Sequence, residues 1–180
     1  MPAKKTTGAV KAAPEAKKED TVEEVSAAPA KRVVDPSMSI IVRNGFRGTL
    51  VYTSPRTGET YTWDSFGDEQ EMELRELMNV KASAKAFFMN NWFLFDKEYD
   101  WVIDELKVRQ YYRDSIRYED FDNLFTMESG ELRDTLAKLS SGQKTAVAMR
   151  ARELVDEGKI DSLKVIHAIE DTLGIKLSGE

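Results

Sequence analysis

The chain has 180 residues, of which 41% are hydrophobic and 32% are charged, and its formal net charge is −6. This length can hold one domain of ordinary size, or a small domain with a helical extension. Because phosphate binding depends on clustered Lys and Arg, the acidic balance argues against a general nucleic-acid-binding protein. Cysteine is absent, which excludes disulfides, thiolate nucleophiles and cysteine-ligated zinc.

The sequence predicts neither a membrane span nor a signal peptide. The most apolar run, AFFMNNWFLF, is short and is interrupted by two asparagines. The alanine-rich stretch after Lys4 and Lys5 is broken by further charged residues, so it lacks the hydrophobic region of a signal peptide. We expect synthesis in the cytoplasm, no secretion by this route and no contact with a membrane.

Residues 1–35 are rich in Ala, Lys, Glu and Pro and contain no aromatic residue. Such a segment has too little apolar surface to offset the entropy of ordering, which predicts disorder in isolation. It is either a solvated tail or an arm that orders against a neighbouring subunit, with Val33 and Val34 as its anchor. It carries seven Lys and Arg against six Asp and Glu, so the rest of the chain carries the acidity.

From Ser39 the pattern is typical of β-strands, because β-branched and aromatic residues dominate. Three strands are predicted, at about residues 39–43, 49–54 and 59–64. Asn44 and Gly45 are expected to form a tight turn after the first strand, and Pro55 and Gly58 to form the turn between the second and third. These strands predict an antiparallel meander. Alternation in the second strand suggests that both of its faces bury side chains.

The run FGDEQEMELRELM is interpreted as the start of a helix. Asp68 is the expected N-cap, and Glu71, three residues later, completes a capping box. A short helix over ASAKAFFM and an extended segment at WFLF are expected to complete a small domain of residues 36–97. The predicted domain therefore combines the β-meander with one or two helices that pack on it.

Residues 98–180 are predicted to be helical. Short amphipathic helices are expected in YDWVIDELKV, RQYYRDS and YEDFDNLFT, and three longer helices at about residues 128–139, 142–157 and 162–173. Ser140 with Gln143 forms a second predicted capping box, and Asp161 is the expected cap of the last helix. Gly158 and Gly174 are expected to end helices in the left-handed conformation. The fold class is α+β, with a disordered N-terminal arm, a β-meander packed by helices and a helical C-terminal region.

Few residues could carry catalysis. His167 is the only histidine, and its place in a predicted amphipathic helix favours a structural or surface role. GQKT at 142–145 lacks the glycines and the strand of a P-loop, and no G-x-S-x-G elbow surrounds a serine. Glu119, Asp120 and Asp122 are expected on a solvated helix face. We predict no enzyme, catalytic residue, metal site or cofactor; an enzyme with a metal held by carboxylates alone is the remaining alternative.

Two sets of residues are candidates for binding another protein. The first lies in and beside the predicted hairpin: Arg43, Phe46, Arg47, Tyr52, Pro55, Arg56 and Gly58. The second is part of the aromatic concentration for which a core position is the default: Trp92, Phe93 and Phe95. Arginines beside aromatic rings can also hold single-stranded nucleic acid. The alternative function is a small regulatory protein that binds nucleic acid or a host polymerase through Arg43, Arg47 and Arg56.

Residues 44–96 carry the pattern F-x-G-x-L-x-Y-x-S-x-R-T-G, followed by W-x-x-F-G-x-E-Q. This segment, about a third of the chain, resembles small structural proteins from the late gene regions of tailed bacteriophages. The resemblance implies a non-enzymatic virion component of the capsid, neck or tail, made in the host cytoplasm. Its implied partners are other virion proteins and further copies of itself. A flexible arm fits this role, because assembly arms often order only beside their neighbours.

Overall fold

The structure is a computed structural model that describes residues 34–177. The expectations for residues 1–33, including the predicted disorder and the role of Val33, lie outside the described residues. Antiparallel sheets occupy the first half of the described chain and helices the second half, which confirms the α+β class.

Within residues 34–177, five strands form two antiparallel sheets. They are β1 (Ser39–Asn44), β2 (Leu50–Thr53), β3 (Thr60–Trp63), β4 (Glu69–Glu73) and β5 (Phe93–Leu94). The central strand of the larger sheet is β1, which pairs with β4 on one side and β5 on the other. The other sheet is the β2–β3 hairpin. The positions of β1, β2 and β3 were predicted closely, but the three-stranded meander was wrong because β1 does not pair with β2.

Asn44 explains why the chain leaves the sheet after β1. Its fully buried side-chain amide donates hydrogen bonds to the carbonyls of Gly48 and Ser65, both at 2.9 Å, and its Oδ1 accepts one from the Phe46 amide at 2.8 Å. Buried polar groups need such partners. These bonds tie the loop after β1 to the loop after β3, so the predicted tight turn into a hairpin does not form.

The predicted helix start at Asp68 was also wrong, since residues 69–73 form β4. Side chains alternate along this strand, with Met72 buried and its neighbours Glu71 and Glu73 exposed. Alternation of this kind matches a strand better than a helix. Asp68 instead accepts hydrogen bonds from the amides of Asp64 and Ser65, at 2.9 and 2.8 Å, and thereby organises the turn before β4.

The helices of the described chain follow in order. They are α1 (Leu74–Ser83), α2 (Ala86–Met89), α3 (Asp100–Glu105), α4 (Arg109–Tyr112), α5 (Ser129–Lys138), α6 (Ser141–Asp156) and α7 (Leu163–Leu173), with short 3₁₀ helices at Lys97–Tyr99 and Asp122–Thr126. The last three agree with the predicted helices to within a residue or two. Gly158 and Gly174 have left-handed backbones, as expected. Asp161 does not cap α7, whose N-cap is Ser162 without a side-chain bond.

The start of α6 packs against the loop after α2. Ser140 Oγ accepts a hydrogen bond from the Gln143 amide at 3.2 Å, and it also donates to the Asn90 carbonyl at 3.1 Å. The second half of the predicted capping box is missing, because the Gln143 side chain bonds to the amide and carbonyl of Ile116. A Cβ on Gly142 would lie 2.1 Å from the Asn90 carbonyl oxygen. Only glycine therefore fits at this contact.

Two hydrophobic clusters form the interior of the described chain. The first unites the inner faces of the strands with α1 to α4, and the second unites α5, α6 and α7 with the 3₁₀ helix before them. Val34 packs against the first cluster, whereas Phe66 from the β half packs against the second. The division of the chain at residue 97 stays a prediction.

Candidate interaction surface

The β2–β3 hairpin rests on the first cluster through one face only. Trp63 is fully buried and its indole donates to the Val42 carbonyl at 2.9 Å. The Tyr52 hydroxyl donates to Glu76 at 2.7 Å, and burial together with this bond raises the pKa of Tyr52 to about 12. On the other face the Val51 side chain is 50% exposed. The expectation that both faces of β2 bury side chains was therefore wrong.

The hairpin tip is an ordered turn that faces solvent. The Ser54 amide donates to the Glu59 carbonyl at 2.8 Å, and the Gly58 amide donates to the Ser54 carbonyl at 2.9 Å. Gly58 has a φ of 75°, so the predicted left-handed position is confirmed. Pro55, Arg56 and Gly58 are exposed. Within the described part of the chain, no hydrogen bond or ion pair holds the Arg56 guanidinium.

The outer edge of β2 carries unpaired backbone groups. In an antiparallel ladder, residues alternate between facing the partner strand and facing away from it. Ser54 bonds to Glu59 across the hairpin, so Tyr52 also faces β3, whereas the amides and carbonyls of Val51 and Thr53 point outward. Across residues 34–177 nothing bonds to these outward groups. We call the outward backbone of Val51 and Thr53 the hairpin edge.

The other long side of the hairpin is partly closed. The Thr62 carbonyl on β3 accepts a hydrogen bond from the Gln70 side chain of β4 at 2.7 Å. An unpaired strand edge is a template for another strand, and proteins usually protect such edges with charged side chains or proline. Neither occurs among the LVYT residues of β2. The hairpin edge is therefore open to pairing with another strand, whereas the outward side of β3 is partly occupied by Gln70.

Two of the three predicted interaction arginines are used inside the fold. Arg43 donates two hydrogen bonds to Asp96, at 2.7 and 2.9 Å, and these bonds hold the pKa of Asp96 below its usual value. Arg47 pairs with Glu153 and lies over the Phe66 ring. Both arginine side chains are at most 20% exposed. The arginine edge of the regulatory alternative is thus reduced to Arg56, and that function stays an untested prediction.

The predicted aromatic contact segment lies mostly inside. Phe93 and Phe95 belong to the first cluster, 0% and 5% exposed, and Trp63 packs against Phe93 with ring centroids 5.2 Å apart. Trp92 is half-buried, and its ring meets the half-buried Phe46 ring at 6.0 Å in an edge contact. These residues are needed for the core, so Phe93 and Phe95 are no longer candidates for contact with a partner.

A cleft of about 460 Å³ lies where Arg47 and Phe66 meet the helical half. On its wall Arg150 makes two hydrogen bonds to Asp122, at 3.0 and 2.6 Å, and one to Glu153 at 3.2 Å. Burial would raise the pKa of Glu153, but the hydrogen bonds from Arg47 and Arg150 lower it. Carboxylates held ionised beside arginine are poorly suited to general acid catalysis. We call Arg47, Arg150, Asp122 and Glu153 the arginine seam.

Sequence reasoning missed the residues that decide which surface is available. Asp96 lies 53 residues from Arg43, and Glu153 lies 106 residues from Arg47, so no local pattern indicates these two pairs. Val51 and Thr53 were not singled out, because the openness of an edge depends on the sheet order. The one usable signal was the absence of charge and proline in LVYT.

The remaining predicted positions show no grouped chemistry. His167 is exposed on α7, and the first residues of GQKT lie in the first turn of α6. In the described ranges no three His, Asp or Glu side chains are grouped to hold a metal ion, and no helix is long and apolar enough to cross a membrane.

Comparisons with protein-family models, with curated proteins and with solved structures found no match to this chain.

Proposed function

We propose that this protein is a non-enzymatic structural component that acts through protein-protein contacts, and that the β2–β3 hairpin is its contact site. The observation that carries the proposal is the hairpin edge. It offers two amides and two carbonyls that have no partner in the described part of the chain, beside the half-exposed Val51 side chain. An extended segment of a partner can add to such an edge, gaining affinity from the main chain and specificity from side chains.

A second copy of the chain is the partner that these features favour. An antiparallel pairing of β2 with its symmetry mate would place Val51 opposite Thr53 of the second copy, so that the donors of each edge meet the acceptors of the other. Residues 36–180 carry nineteen Lys and Arg against twenty-six Asp and Glu. The exposed Arg56 would therefore meet a predominantly acidic neighbour.

The assembly that we propose is the virion of a tailed bacteriophage. Support comes from the resemblance of residues 44–96 to small structural proteins of such phages, whose pattern includes the residues that build β2 and the hairpin tip. The partners would be other virion proteins and further copies of this chain, after synthesis in the host cytoplasm.

Light scattering on the full-length protein tests the contact site. We expect a mass above the 20.4 kDa of one chain, rising with protein concentration. Val51→Lys should lower this mass toward that of a monomer, because a charge on the edge opposes strand pairing. Thr62→Lys is the matched control, since Thr62 is the cross-strand neighbour of Val51 on the partly closed side. A monomer at every concentration, or equal effects of both variants, would contradict the proposal.

A further inference from the structure

A groove of about 410 Å³ lies between α6 and the chain at the end of α7. Lys144, Ala148 and Arg152 contribute to it from positions four residues apart, which places them along one stripe of α6. The opposite side of the groove includes Leu173 and Ile175. Both are partly buried against the second cluster, so the groove is attached to the packed interior.

The floor of the groove is apolar and accessible. Met149 is 43% exposed within it, beside Leu173 and Ile175. The hydroxyl of Thr145, which also lines the groove, already donates to the Ser141 carbonyl at 3.1 Å. The Thr145 hydroxyl therefore needs no further partner, and it is the apolar surface of the floor that a ligand could bury.

The rim of the groove is cationic, and among residues 34–177 no carboxylate pairs with its two cations. Lys144 Nζ donates to the Ala137 carbonyl at 3.1 Å, and Arg152 Nη2 donates to the Lys176 carbonyl at 2.8 Å. Neither side chain forms an ion pair among residues 34–177, and no Asp or Glu lines the groove. By contrast Arg150, two residues from Arg152, is paired with Asp122 and Glu153. Two uncompensated cations beside exposed apolar surface suit an acidic ligand with apolar side chains.

We propose that this groove binds residues 19–25 of a second copy of the chain. This segment reads EDTVEEV, with four carboxylates in seven residues and with Val22 and Val25 three positions apart. The carboxylates complement Lys144 and Arg152, and the valines match the apolar floor. The inference rests on the proposed self-association but uses a surface distinct from the hairpin edge.

The length of the connecting chain limits how far the segment can reach. Residues 26–33 separate the acidic segment from Val34, where the described chain begins. Eight residues span at most about 28 Å when fully extended. A segment on this tether can reach a groove of an adjacent subunit that lies within this distance of Val34, and the tether raises its effective concentration there.

Binding of a labelled peptide to the full-length protein tests this proposal. The probe has the sequence of residues 19–28, and its fluorescence anisotropy reports binding. The acceptor protein carries four substitutions in its own residues 19–25, so that this segment no longer competes with the labelled peptide for the groove. They are Glu19→Gln, Asp20→Asn, Glu23→Gln and Glu24→Gln. We expect Lys144→Glu with Arg152→Glu to weaken binding by about tenfold or more, with an affinity that falls as salt rises. Lys81→Glu with Lys164→Glu is the matched control. These two lysines also lack ion pairs in the described chain, but they lie outside the groove. The control should leave the affinity for the peptide within about twofold of that of the acceptor without these changes.

A charge-reversed peptide separates recognition from damage to the fold. When its four acidic residues are replaced by lysine, it should bind the Lys144→Glu, Arg152→Glu acceptor within about threefold of the original affinity. Absence of binding by the original peptide, equal weakening by the control pair, or failure of the reversed peptide to restore binding would each overturn the proposal. Val51→Lys should leave peptide binding unchanged. Retained self-association of Val51→Lys with intact peptide binding would thus contradict only the hairpin proposal.

Discussion

The arginine seam and the hairpin edge differ in what satisfies their polar groups. In the seam, Arg47 and Arg150 reach carboxylates of the same chain and are largely covered. At the edge, the backbone groups of Val51 and Thr53 have no partner within residues 34–177, and the nearby tip exposes Arg56. Groups satisfied within the chain hold its two halves together, whereas unsatisfied groups at the surface are available to another subunit. Residue type alone does not separate these roles, because arginine serves in both.

Breaking the contact where α6 meets the β half should have the largest effect on stability. In Gly142→Ala the new Cβ would lie 2.1 Å from the backbone oxygen of Asn90, so the start of α6 must move. We expect the free energy of unfolding in urea to fall by about 2–3 kcal/mol. Gly130→Ala is the control, since its Cβ meets only a flexible Glu128 side chain. A control as destabilised as Gly142→Ala would contradict the account of this contact.

Removing one seam arginine should have the next largest effect. Arg47→Met keeps much of the apolar stem but leaves Glu153 with one arginine fewer, and we expect a loss of about 1–2 kcal/mol. In the control, Arg133→Met, the broken pair with Asp171 is solvent-exposed and should contribute less than about 0.5 kcal/mol. Urea unfolding of both variants measures the difference. Equal losses would mean that the seam is no stronger than a surface ion pair.

Acid should weaken the arginine contacts selectively. Hydrogen bonds from Arg43 and Arg150 lower the pKa values of Asp96 and Asp122 below their ordinary value of 3.8. Because these pKa values are lower in the folded chain, ionisation stabilises the fold above about pH 4, and this contribution is lost as the pH falls through the folded values. Asp96→Asn should make the free energy of unfolding less dependent on pH below 4. If the free energy of unfolding of this variant depends on pH below 4 as strongly as that of the unaltered protein, Asp96 does not contribute to the loss of stability in acid.

Replacing the tip arginine should affect stability least and thereby sharpen the comparison. Arg56→Ala removes a side chain with no hydrogen bond or ion pair in the described part of the chain, so the free energy of unfolding should change by less than about 0.5 kcal/mol. The same variant should reduce the mass of the assembly in light scattering, because Arg56 would face an acidic neighbour. Destabilisation similar to that of Arg47→Met would mean that the tip arginine also serves the fold.

The helical half could be predicted because its signals are local. Each signal lies within a few residues of the helix end that it determines. Ser140 precedes the start of α6, Gly158 follows the end of α6, and Gly174 follows the end of α7. In the β half, the positions of β1, β2 and β3 were readable, but the partners of β1 were not, and β4 was predicted as a helix start. The run GDEQEME fits both a capped helix and an alternating strand, and burial of Met72 beside β1 decides for the strand.

The candidate site was predictable only in part. Pro55 and Gly58 identified the tip through turn chemistry, and the predicted interaction residue Arg56 is exposed there, while its role in contact stays a prediction. Asp96 and Glu153, which remove Arg43 and Arg47 from that surface, come from distant parts of the chain. The hairpin edge required knowledge of the strand order, which depends on long-range pairing rather than on the residues of β2 themselves.

Amide hydrogen exchange at Val51 and Thr53 tests the central claim most directly. Full-length protein should be compared at low and high concentration, with the mass measured by light scattering in parallel. The account predicts that these two amides exchange rapidly in the monomer and become protected on self-association, while the Tyr52 amide, already bonded to β3, changes little. Rapid exchange of Val51 and Thr53 in a sample that has assembled would show that subunits meet elsewhere and would contradict the account.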